Sequence, residues 1–319
     1  MSPAGGRRYR WRRTLRGGAM SALAGKTVVV SGGSRGIGLA IAERLGREGA
    51  NLALLAKTDA PHPKLPGTIH EAAAAVEAAG GRALPIVCDI RDEAAVAAAV
   101  SRAAETFGGI DAVVNNASAI SLTGTAETPA RRYDLMTGVN SRGTFLATQA
   151  ALPWLLKAER PHILTISPPL DLSPRWFGGH PAYSLAKYGM SLLTLGWSAE
   201  FAGRIAANCL WPRTTIDTAA IRNLLGGEAM ARRSRKPAIM ADAAAAALSK
   251  PVGFTGWFLL DDLLLASEGV TDFDAYAVDP SETLAPDFFV PEGAPAPGDA
   301  GGAVGWRAPT LGGAAPGRI

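Results

Sequence analysis

Cysteine, histidine, charge and long apolar runs are all scarce in these 319 residues, and each scarcity excludes something. Two cysteines build no disulfide framework, and Cys88 and Cys209 both stand in apolar runs that read as strands. Buried free thiols in a reducing compartment fit that usage, so a cytoplasmic protein is expected. The histidines, His62, His70, His162 and His180, show no HxxxH spacing and no neighbouring cysteine pair, so no metal site is expected. No run of about 18 apolar residues occurs, so no membrane-spanning helix is expected. Charged residues make up 19% and hydrophobic residues 48%, a balance that excludes a disordered chain and supplies a large core.

The net charge of +4 is unevenly placed. Arg7, Arg8, Arg10, Arg12, Arg13 and Arg16 precede Met20 with no acidic residue among them, and without those six charges the rest carries −2. A basic segment suits nucleic acid, a membrane surface or an import signal. Here no apolar signal core accompanies it, and Gly5, Gly6, Gly17 and Gly18 weaken an amphipathic helix. Residues 1–19 read as a disordered or mis-started extension, and the slightly acidic body argues against a nucleic-acid partner. Residues 291–319 are mostly Pro, Gly and Ala without apolar period, and read as a disordered tail. Residues 20–290 form one domain on this reading.

Within that body, apolar runs at 26–31, 51–56, 83–88, 110–115, 161–167, 204–211 and 254–260 alternate with helical patterns. The helices fall at 36–48, 92–107 and 182–201, with a capping box at Thr68 and Glu71 opening another. Alternation of this kind implies parallel strands with right-handed crossovers and helices on both faces. The expected fold is α/β: a single doubly wound Rossmann domain around a mainly parallel seven-stranded sheet.

Ser31–Gly38 lies between the first strand and the first helix, where backbone has to approach a pyrophosphate closely and free N–H groups face it. Gly32, Gly36 and Gly38 are its glycines, and its position between strand and helix gives the motif its weight. The second strand ends on Ala56, Lys57 and Thr58 without a carboxylate to grip a ribose 2′-hydroxyl. Lys57 and Arg35 offer positive charge to a 2′-phosphate instead, so NADP(H) is favoured over NAD(H). Asp89 is placed to receive the adenine amino group, or else to cap the following helix.

Together with that loop, Asn115–Ser118 after the fourth strand, Asn140, Ser167 and the Tyr183–Lys187 pair resemble the short-chain dehydrogenase/reductase superfamily over about residues 24–290. Within it, Ala56–Thr58, Pro61–Leu65, Asn115–Leu122, Ile166–Leu170, Ala186–Met190, Leu210–Thr214 and Pro286–Phe289 look like the hydroxysteroid dehydrogenase-like protein 2 family and its bacterial relatives. Longer members of that family carry a sterol-carrier domain, and no counterpart of it is expected among these residues. The resemblance implies an NAD(P)-dependent oxidoreductase acting on a CH–OH group. Its cofactor would be held by Gly32, Ser34, Arg35, Gly36, Ile37, Gly38, Lys57, Asp89, Asn116, Ala117, Tyr183, Lys187, Pro212 and Thr215.

Tyr183 and Lys187 share one helix face at i and i+4. An ammonium beside a phenol, with a positive nicotinamide ring, favours the phenolate and lets Tyr183 exchange a proton with the substrate oxygen. Ser167, ending the fifth strand, is the expected anchor of that oxygen, with Ser173 as its rival. By resemblance Lys187 also grips the nicotinamide ribose, and Asn140 holds a water linking Lys187 to solvent. Departures from the superfamily pattern include Ser118, Pro168 and Pro169, Arg213 after Pro212, and a separation of 16 residues between Ser167 and Tyr183.

Ile120, Trp176, Phe177 and Trp211 are the candidate pocket walls, with Ile216–Leu225 as a lid helix. They suit a small hydrophobic alcohol, aldehyde or ketone of terpenoid, fatty or steroid-like kind. Arg213 either reaches an anionic group or is a surface arginine, and Arg232–Lys236 either grips a phosphate or is a solvated turn. The long helices around 127–158 and 182–201 are those through which relatives pair, so a homo-oligomer, dimer or tetramer, is expected. The alternative function is a catalytically silent dinucleotide-binding regulator or partner protein, against which the intact Ser167, Tyr183 and Lys187 argue.

Overall fold

Val28, Val29 and Val30 are fully buried in β1 (Thr27–Ser31), and they part to opposite faces: Val28 and Val30 into one core, Val29 into another. A strand covered on both sides has to be apolar throughout, which is why the sequence shows runs instead of alternation. The structure is a computed structural model describing residues 21–61 and 67–307. The basic N-terminal extension, His62, Lys64, Leu65 and residues 308–319 of the expected tail lie outside the described residues.

After β1 come α1 (Gly36–Gly46), β2 (Asn51–Ala56), α2 (Ile69–Ala78), β3 (Arg82–Val87), α3 (Glu93–Phe107) and β4 (Ala112–Asn115). Then follow α4 (Ala130–Met136), a π-helical stretch at Thr137–Arg142, α5 (Gly143–Leu155), β5 (His162–Thr165), α6 (Pro181–Glu200) and β6 (Ala206–Trp211). The chain continues through α7 (Ala219–Leu224), α8 (Gly227–Arg232), α9 (Ala238–Leu248), β7 (Trp257–Leu260), α10 (Asp261–Ser267) and β8 (Gly305–Arg307). The predicted capping box forms at α2, where Thr68 Oγ1 accepts from Glu71 N at 3.1 Å and Glu71 accepts from Thr68 N at 2.7 Å. Asp92 caps α3 by accepting from Ala95 N, and Gly108 ends it at φ +85°, a left-handed turn.

The sheet order is β3-β2-β1-β4-β5-β6-β7-β8. β1 to β7 pair in parallel, and β8 pairs antiparallel to β7 through Leu259 with Gly305, Phe258 with Trp306 and Trp257 with Arg307. Eight strands are thus present where the sequence predicts seven. The eighth comes from the segment whose composition reads as a tail: three residues have no period to detect, and the exposed edge of β7 supplies their ladder. One face of the sheet packs α1, α2, α9 and α10 through Ile41, Leu45, Val76 and the alanines 243–247. The other packs α3 and α5 through Val96, Val100, Leu146 and Leu155. Strand order reverses between β1 and β4, which opens a crevice at their carboxyl ends. Cys88 and Cys209 are free and buried, and burial pushes each thiol up to about 11. Among the described residues no helix is long and apolar enough to cross a membrane.

Candidate active site

The glycine loop lies in that crevice, and its glycines are needed because backbone meets backbone there. Gly32 and Gly36 hold positive φ, +69° and +55°. A Cβ on Gly38 would lie 2.3 Å from the Gly32 carbonyl oxygen and 2.5 Å from Asn116 Nδ2. Asn116 Nδ2 donates to the carbonyls of Ser31 and Gly32, both at 3.1 Å, while Asn116 N and Ala117 N donate to Ser31 Oγ. Asn116 and Ala117 thus tie the end of β4 to the loop. Gly38→Ala is expected to cost about 1–3 kcal/mol in urea unfolding and to weaken dinucleotide binding in the same protein. The predicted lid helix appears as α7, and a Cβ on Gly36 would meet Thr218, just before α7, at 3.4 Å.

At the end of β2, Arg35 reaches across from the loop: its Nη2 donates to Thr58 Oγ1 at 2.7 Å and to the Gly67 carbonyl at 3.2 Å. Lys57 is well exposed and its Nζ stands 3.5 Å from Asp89 Oδ2. Asp89 is gripped by the Arg91 guanidinium at 2.6 Å and by Arg91 N at 3.1 Å, which, with Lys57, holds its carboxyl well below the usual range. Asp89 is therefore engaged in ion pairs, and the helix cap is Asp92. Arg91 was not singled out by the sequence, because a lone arginine in a loop carries no signal of its own.

Ser167 stands two residues beyond β5, fully buried, and among the described residues its Oγ finds no nitrogen or oxygen partner, only the Cys209 thiol. A buried hydroxyl left in this state is unusual and suits a group awaiting a substrate oxygen. Ser173 N, by contrast, is turned to Asp171. Tyr183 and Lys187 lie on α6 facing the interior, with 6% and 3% exposure. Lys187 Nζ donates to the Ile166 carbonyl at 2.8 Å and sits 4.9 Å over the Trp211 ring. Burial pushes Lys187 down to about 8, opposed by the charge of Asp287. Burial, with Asp287 second, pushes the Tyr183 phenol up. That direction is the reverse of the one the Tyr–Lys spacing suggests, because removal from water dominates at the phenol. Asn140, in the π-helical stretch, spends its amide on one residue: Oδ1 accepts from Ala119 N at 2.7 Å and Nδ2 donates to Ala119 O at 3.1 Å. Its side chain thus clamps the loop bearing Ile120.

Ile120, Trp176, Phe177 and Trp211 come together around Tyr183 in one apolar cluster. Its centre is a residue that the candidate walls omitted, Phe289, which is fully buried and packs, tilted or edge-on, within 6.1 Å, centroid to centroid, of Trp176, Tyr183, Tyr188 and Trp211. Its motif, Pro286–Phe289, was visible only as a family mark. Pro212 and Thr215 follow β6, where Thr215 Oγ1 meets Ser234 Oγ at 2.8 Å. Arg213 is neither a surface residue nor free for an anion. Its Nε pairs with the buried Asp262 at 2.5 Å, and its Nη2 donates to the Pro295 carbonyl at 2.8 Å. The run after α8 is likewise spent on the C-terminal segment: Arg232 on Asp279 and Glu282, Arg233 on the Thr283 carbonyl, Arg235 on Asp262, Lys236 on the Ala275 carbonyl.

A doubly wound sheet, a glycine loop at its switch point and a buried Tyr–Lys pair on the helix after β5 define a dinucleotide site of dehydrogenase type. The family model for short chain dehydrogenase matches residues 26–226, and the chain belongs to that family. It is 55% identical over 268 residues to hydroxysteroid dehydrogenase-like protein 2 of Danio rerio, covering 84% of this chain and 64% of that protein. The chain thus spans less than two thirds of that relative's length. Among solved structures, a short chain dehydrogenase from Mycobacterium thermoresistibile is 53% identical with a TM-score of 0.81, covering 85% of this chain and 98% of that one. A metagenomic short-chain oxidoreductase solved in complex with NADP is 26% identical with a TM-score of 0.60, covering 72% and 93%.

Proposed function

We propose that this chain is an NADP(H)-dependent oxidoreductase that interconverts a small hydrophobic alcohol with its aldehyde or ketone. The observation carrying this reading is the fully buried Ser167 hydroxyl just beyond β5, which finds no nitrogen or oxygen partner among the described residues, together with the buried Tyr183–Lys187 pair on α6. The cradle at Gly38, too tight for any Cβ, fits a pyrophosphate pressed against backbone. Bound there, the nicotinamide supplies or takes the hydride. Ser167 orients the substrate oxygen, Tyr183 gives or takes its proton, and Lys187 adjusts the phenol's acidity and holds the cofactor ribose. The apolar walls of Ile120, Trp176, Phe177 and Trp211 exclude water and select a hydrophobic substrate of terpenoid, fatty or steroid-like class.

The phosphate preference rests on Arg35 and Lys57 at the end of β2, with no carboxylate on that strand end to repel a 2′-phosphate. Arg35→Ala and Lys57→Ala are each expected to weaken NADPH about tenfold and to leave NADH nearly unchanged, measured by fluorescence titration. Phe145, Leu185 and Leu192, exposed on α5 and α6, support pairing of two copies through these helices. The direct test of the activity is NADPH consumption against a panel of hydrophobic aldehydes and ketones. Consumption that depends on the carbonyl supports the reading. Tight cofactor binding with no turnover across the panel favours a silent dinucleotide-binding protein.

A further inference from the structure

The ring at the centre of the apolar cluster comes from a segment that supplies none of the reacting groups. Phe289 is fully buried, and its centroid lies 5.3 Å from that of Tyr188, 5.8 Å from Trp176, 6.0 Å from both His180 and Trp211, and 6.1 Å from Tyr183. These are the separations of rings in contact. A further flat group between two of them would need centroids about 7 Å apart, twice the contact distance of carbon atoms. The space against this flank of the Tyr183 ring is therefore taken by the protein itself.

Residues 285–295 are held in place by the chain leaving β6. Thr215 N donates to the Ala285 carbonyl at 3.0 Å, Asp287 N to the Arg213 carbonyl at 3.0 Å, and Trp211 Nε1 to the Phe288 carbonyl at 2.7 Å. Beyond the ring, Arg213 Nη2 donates to the Pro295 carbonyl at 2.8 Å, and Arg175 pairs with Glu292. Phe289 is thus fixed from both sides. Among the described residues it is the one non-glycine with positive φ, +66°. A bulky residue takes that conformation only when surrounding packing enforces it, and such strain gathers at ligand sites. The rings it touches all stand within residues 26–226, the stretch matched to the family, whereas Phe289 enters from outside that stretch.

We propose that Phe289 is a specificity-determining residue: its ring closes the pocket on the side of Trp176, Tyr183 and Trp211 and selects an aldehyde or primary alcohol with an unbranched chain over one branched beside the reacting carbon. This rests on the oxidoreductase reading of the same site and narrows its substrate towards the fatty kind. The Tyr183 phenol has to meet the substrate oxygen, so the atoms next to the reacting carbon are those that come up against the rings around it. A chain of single methylenes needs one narrow path away from that point. A branch or ring there needs the volume that Phe289 fills, and is rejected by a clash.

The experiment is NADPH consumption with heptanal and with cyclohexanecarbaldehyde, aldehydes of equal carbon number, in the unmodified protein, Phe289→Ala and Phe289→Leu. The unmodified protein is expected to prefer heptanal, and both variants to shift the ratio of the two kcat/KM values about tenfold towards cyclohexanecarbaldehyde. A loss of stability alone lowers both rates together and leaves their ratio in place. Should Phe289→Ala not fold around its cavity, Phe289→Leu gives the same comparison. A readout without turnover is the tryptophan fluorescence titration of the same proteins with heptanol and with cyclohexylmethanol, whose relative affinities shift the same way. An unmoved ratio in a folded variant, or an unmodified protein that prefers cyclohexanecarbaldehyde, overturns the proposal. If the unmodified chain reduces neither aldehyde, the oxidoreductase reading fails on its own, and the alcohol titrations still decide whether Phe289 sets the shape of the pocket.

Discussion

Phenylalanine in place of Tyr183 is expected to lower turnover by about a thousandfold and to leave NADPH binding and unfolding close to unchanged. The phenol sits in an apolar cluster with Trp211, Leu260 and Phe289, so loss of its hydroxyl strands no charge in the protein. The ring keeps its packing against Phe289 and against His180, 5.9 Å away edge-on. What the variant loses is the proton that the substrate oxygen has to gain or give as the hydride moves. Steady-state rates beside a cofactor titration check this. A turnover reduced less than tenfold would place the proton donor elsewhere, and His180, on the same rim, would be the next group to replace.

Asp262→Ala is expected to remove about 3–5 kcal/mol of stability and to lower Tm by roughly 10 °C. Asp262 is fully buried and its Oδ2 receives both Arg213 Nε at 2.5 Å and Arg235 Nη1 at 3.2 Å. Alanine leaves two guanidinium groups, 18% and 8% exposed, without their counter-charge. The cost comes from those stranded charges more than from the pair's own attraction, which desolvation largely cancels. The same substitution frees Arg213 from the geometry that holds the Pro295 carbonyl, so the C-terminal segment loosens over the catalytic cluster. Urea unfolding with an unchanged slope checks the first effect. A loss below about 1 kcal/mol would mean that water and neighbouring carboxylates compensate the arginines.

Much of this was readable in the residues, for physical reasons that differ by element. The strands β1, β2, β4, β5 and β6 are buried along their whole length, so each is an apolar run between turn signals, and Val28–Val30 could hardly be anything else. The glycine loop is legible because close backbone approach permits only glycine at Gly38. Tyr183 and Lys187 are legible because helical spacing puts them on one face. Arg213 was not, because its partner Asp262 lies 49 residues further on and no local pattern connects them. Phe289 reaches the site through a ladder with 213–215 that exists only once the fold has closed. The strand β8 was hidden by composition: Pro, Gly and Ala surround three residues whose structure is lent by the edge of β7.

The central claim is a dinucleotide site built for NADP(H), and parallel fluorescence titrations of the protein with NADPH and NADH test it without any guess about the substrate. The account predicts saturable binding of both, with NADPH tighter by about tenfold or more through Arg35 and Lys57. NADH binding more tightly, or neither cofactor binding, would contradict it.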